Sequence, residues 1–64
     1  MLVNVGPQLS SVSTALHDLT TRVSDLAESL SGSPREDVAN ALYEVERSMS
    51  TAARRLDQLV SDLT

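Results

Sequence analysis

The chain has 64 residues, a formal net charge of −4 and no Cys. One small domain is all this length allows, and without disulfides or thiolate metal sites its stability has to come from helix packing or association. Nine acidic residues outnumber five basic ones, all Arg, which argues against phosphate-backbone binding, and no run approaches the ~20 apolar residues of a membrane span.

Met1-Leu2-Val3-Asn4-Val5 has no basic segment before its apolar residues and is too short for the apolar part of a signal peptide. The expected location is cytoplasmic, with export without a cleavable signal left open. Gly6-Pro7 then permits two helix starts. Asn4 can cap a helix that holds Pro7 in its first turn, or the helix can begin at Pro7 after an extended arm. Gly6 weakens helix at this point and favours the second, so the first helix is expected over about 7–31.

From Leu9 the apolar pattern is regular. Leu9, Val12, Leu16, Leu19, Val23, Leu26 and Leu30 recur at alternating intervals of three and four, the a and d positions of a heptad lettered a to g. Ser31-Gly32 ends the run, Gly being the residue that accepts the left-handed conformation after a helix. Ser33-Pro34-Arg35-Glu36 opens the next one. The Ser33 hydroxyl is placed to accept from the Glu36 amide, and Glu36 to reach back to the Ser33 amide, as a capping box; Pro34 stands at the first helical position. Glu36 and Asp37 put negative charge against the positive helix end. The turn is therefore expected at 31–33 and the second helix over about 34–63.

The second seam is Val38, Leu42, Val45, Met49, Ala52, Leu56, Leu59 and Leu63, again at intervals of four and three. Folded back at the turn, the two seams match in one register. Leu30 meets Val38, Leu26 Leu42, Val23 Val45, Leu19 Met49, Leu16 Ala52, Val12 Leu56 and Leu9 Leu59, and Val5 with Leu63 would continue the series. Each layer joins an a residue to a d residue. A single continuous helix would instead carry Gly32 and Pro34 inside it, at a cost of several kcal/mol. The reading is an all-α chain, one domain over 1–64, folded as an antiparallel two-helix hairpin.

The positions beside the seam bear on a partner. The e edge holds Ser13, Thr20, Ala27, Ala39, Glu46, Ala53 and Val60, small and nearly uncharged; the g edge holds Ala15, Arg22, Ser29, Ala41, Ser48, Arg55 and Asp62. A widened apolar face belongs to a bundle helix rather than to a two-stranded coil. Ser13, Thr20, Ala27, Ala39, Ala53 and Val60, with Tyr43 as a possible anchor, are therefore expected to pack on a second copy and give a four-helix bundle.

Little points to chemistry. His17 and Tyr43 fall at b, on the outer surface. Arg47, Arg54 and Arg55 lie among Glu44, Glu46 and Asp57 as a solvated salt-bridge face, with Asp18–Arg22, Glu44–Arg47 and Arg54–Asp57 at ion-pair spacing. There is no nucleophile motif, phosphate loop or metal-ligand spacing, so no enzyme, cofactor or metal is expected. Small secreted helical hairpins that turn on a Trp-x-Gly motif share this architecture. The turn here is Ser31-Gly32-Ser33 and the chain has no Trp, so the resemblance stops at architecture. The expected function is a non-catalytic interaction or oligomerisation module, a small bacterial adaptor or regulator that pairs with itself. The alternatives are a scaffold or phage-type particle component and, more remotely, a nucleic-acid-binding regulator.

Overall fold

The computed structural model describes residues 5–63. It contains two helices, α1 over Val5–Leu30 and α2 over Glu36–Leu63, packed against each other as a hairpin. The hairpin is a rod of 54 × 15 × 14 Å. Helix α1 is already formed at Val5, so Gly6 and Pro7 lie inside its first turn, as the longer of the two expected starts requires. The proposed Asn4 cap falls outside the described residues. The helices run unbroken through many Ser and Thr residues, and several threonines turn their hydroxyls back on the helix. Thr14, Thr20, Thr21 and Thr51 each donate to the carbonyl four residues earlier, at 3.0, 2.7, 3.2 and 3.1 Å.

The turn is longer than 31–33. Gly32 takes φ +78°, and no other described residue has positive φ. Nothing lies within 4 Å of where a Gly32 Cβ would stand, so glycine is needed there for its backbone freedom and not for space. The Ser31 amide closes α1 on the carbonyls of Ala27 and Glu28, and the Ser33 amide reaches the carbonyl of Leu30. The capping bonds form one residue away from the reciprocal box. The Ser33 hydroxyl accepts from the Arg35 amide at 3.1 Å and donates to the Leu30 carbonyl at 2.6 Å. Glu36 accepts from the Gly32 amide at 3.3 Å instead of from Ser33. Pro34 and Arg35 consequently belong to the turn, and the regular helix starts at Glu36 rather than at 34.

The main departure from the heptad reading is the roll of the helices about their axes. The residues most completely buried are Ser13, Ala27, Ala39 and Ala53, at 6, 0, 0 and 1 % exposure, all at e positions. The a residues Leu9, Leu16, Val23, Leu30, Leu42, Met49 and Leu56 are half-buried beside them. The d residues do not close the seam. Val12, Leu19, Leu26, Val45 and Leu59 are between 46 and 57 % exposed, Ala52 is exposed as well, and only Val38 next to the turn is half-buried. The seam thus joins a to e, not a to d. The physical reason is the size of the side chains. Alanine and serine at e let two helices approach closely, whereas Leu and Val at d would hold them apart. Among the described residues no large side chain is completely out of water.

Candidate interaction interface

Rolling the seam onto a and e makes the hairpin a plate with two unlike sides. On a helical wheel, d and b flank the a/e seam on opposite sides. The d side carries Val5, Val12, Leu19 and Leu26 from α1 and Val45 and Leu59 from α2, each at least 43 % exposed. The two rows run side by side along the rod, thinned at Ala52, and form an apolar stripe over much of its length. Arg22, Asp25 and Ser29 border it where Leu19, Val23 and Leu26 line an open groove. The b side carries Ser10, His17 and Ser24 from α1 and Tyr43, Ser50 and Asp57 from α2, and is polar apart from the tyrosine ring.

These placements displace the expected partner surface. Ser13, Ala27, Ala39 and Ala53 are already covered by the chain's own second helix, and Thr20, Tyr43 and Val60 are half-buried. The e edge is the intrachain seam, and the apolar residues it leaves outside are those assigned by heptad to the intrachain core.

The polar side holds a cross-helix cluster. The Ser13 hydroxyl donates to Asp57 Oδ1, and His17 Nε2 lies 2.9 Å from Asp57 Oδ2. Both bonds span from α1 to α2, so they tie the helices in register and in roll. Spacing alone pairs Asp57 with Arg54; in the structure it reaches across the hairpin to Ser13 and His17. Its pKa is lowered below the ordinary 3.8, first by the Ser13 hydrogen bond and then by the His17 hydrogen bond, with desolvation opposing them and the His17 charge contributing least. The carboxylate stands between the serine and the imidazole. A hydroxyl activated as a nucleophile needs the imidazole next to it, with the carboxylate behind. The order here suits holding two helices together.

The cluster was within reach of the sequence only through the roll. His17 and Asp57 share position b, which an a/d seam places on outer surfaces and an a/e seam brings across the joint. Elsewhere Arg35 Nε lies 3.3 Å from Asp37 Oδ1, both side chains well exposed. Arg47, Arg54 and Arg55 are exposed on α2. Among the described residues no group of three or more His, Cys, Asp or Glu is arranged to hold a metal ion, and no helix is long and apolar enough to cross a membrane. Comparison with known protein families, curated proteins and solved structures returned no match.

Proposed function

We propose that the protein is a non-catalytic interaction module that works as a homodimer, two hairpins packing into a four-helix bundle. One observation carries this reading. Among the described residues the only buried apolar ones are three alanines, while the valines and leucines are half-buried or exposed. Two helices have no third layer to cover their wide apolar faces, and a second hairpin supplies it. The acidic balance, with nine Asp and Glu against five Arg, supports a protein partner over a nucleic acid. In the cell, such a dimer serves as a small adaptor or regulator, its outer faces presented to another protein.

Sedimentation velocity at micromolar concentration tests the reading. The expected species is strongly helical and twice the 6.9 kDa chain mass. A folded, helical monomer across that range would overturn it. A ladder of species growing with concentration would favour an assembly component instead.

A further inference from the structure

We infer that the second copy docks on the d side of the hairpin alone, so that association closes at two copies. This rests on the homodimer reading and adds to it the surface and the stopping point. The chain exposes 4814 Å², whereas a folded monomeric protein of 6.9 kDa exposes about 4,000 Å². A rod of 54 × 15 × 14 Å carries part of this excess by its shape, and the whole, roughly 800 Å², is of the order that one partner contributes to an interface of standard size. The d side is where the exposed large apolar residues lie together. Val12, Leu19, Leu26, Val45 and Leu59 stand along it, with Arg22, Asp25 and Ser29 at its border beside Leu19 and Leu26. Ala52 gives the facing helices a place for close approach.

The occupant is a second copy because the stripe matches itself in length, width and chemistry. The same patch serving both partners about a two-fold axis makes an isologous contact. An open stack would need a second adhesive face. The opposite side offers Ser10, His17, Ser24, Ser50 and Asp57, with His17 and Asp57 already engaged with each other, and its one aromatic ring, Tyr43, is half-buried. A surface of that composition has little apolar area to bury. The a/e seam holds each hairpin together, and the d residues fill the centre between hairpins, so every apolar column of the heptad has a place.

The test uses the absence of native cysteine. Ala52→Cys places a thiol on the d side and Ser10→Cys one on the polar side, and both positions are exposed in the single hairpin. Alkylation is followed by mass at concentrations where sedimentation shows the chain paired and where it shows it dissociated. On pairing, Ala52→Cys is expected to slow by about tenfold or more, because only dissociated chains react, while Ser10→Cys keeps its rate. Unchanged Ala52→Cys labelling in a sedimenting dimer would overturn the surface while leaving the dimer standing. Slowing at both sites, with species beyond the dimer, would overturn closure. Failure to pair at any concentration would remove the homodimer reading and this inference with it.

Discussion

Asp57 shows how one side chain acts on the joint between two helices. Its carboxylate accepts from Ser13 and pairs with His17, both on the other helix, and these partners lower its pKa. The sign of the consequence follows from linkage. A carboxylate whose folded pKa is depressed adds stability that is fully present above its unfolded value, about 3.9, and that is lost as pH falls through the folded value. Thermal melts by circular dichroism, at one fixed protein concentration, compare the chain with Asp57→Asn. The native chain is expected to melt higher from neutral pH down to about pH 5. The difference should shrink steadily below pH 3.8. A difference unchanged down to pH 2 would show that the Asp57 charge does not contribute. Both groups are about half exposed, so added salt should also narrow it.

At the scale of the helices, much of the fold could be read from residues alone. Gly32 and Pro34 mark the break between the helices, the two seams are similar in length, and two helices form with bounds within about two residues of the pattern. The roll could not be read this way. Columns a, d and e are all apolar or small, and a heptad pattern says which positions leave water without saying which helix covers them. Alanine at e looked like the filler of a secondary surface because Leu and Val at d are the stronger apolar signal. Close approach reverses that ranking: the small column makes the tight joint and the large column is left for a second layer. The bond from Ser13 to Asp57 sets the level of the two helices. Counting along both from it brings Thr20 beside Met49 and Ser50, and Thr20 and Met49 are half-buried while Leu19 is 46 % exposed. Thr20→Cys with Met49→Cys is therefore expected to form an intrachain disulfide readily under mild oxidation. Leu19→Cys with Met49→Cys, the pair that an a/d seam would bring together, should form it at least several-fold more slowly, since thiols pointing apart cannot be bridged without backbone movement. Equal or inverted rates would return the hairpin to the a/d seam.

For the whole molecule the question is whether stability depends on the proposed second copy. A hairpin whose only buried apolar residues, among those described, are alanines gains little from its own seam, and its Ser- and Thr-rich helices are weak formers in isolation. In the proposed dimer most of the apolar burial comes with the d-side contact, and folding and pairing become one equilibrium. In that case unfolding releases two chains from one folded species, and the melting point rises with total concentration. Each tenfold increase adds about 1.4 kcal/mol to the paired state. For a dimer of this size that corresponds to roughly 5 °C in Tm. The expected record is a set of melts from a few micromolar to several hundred, each a single transition, with midpoints climbing by about that step per decade. Placing a charge in the centre of the stripe, Leu19→Glu, should lower the midpoint at every concentration and flatten its climb, because the paired state would bury an unpaired carboxylate. Ser10→Glu, on the polar side, should leave the climb unaltered. A melting point independent of concentration in the native chain would mean that the hairpin holds itself together. The exposed leucines would then have to be explained by something other than a second copy.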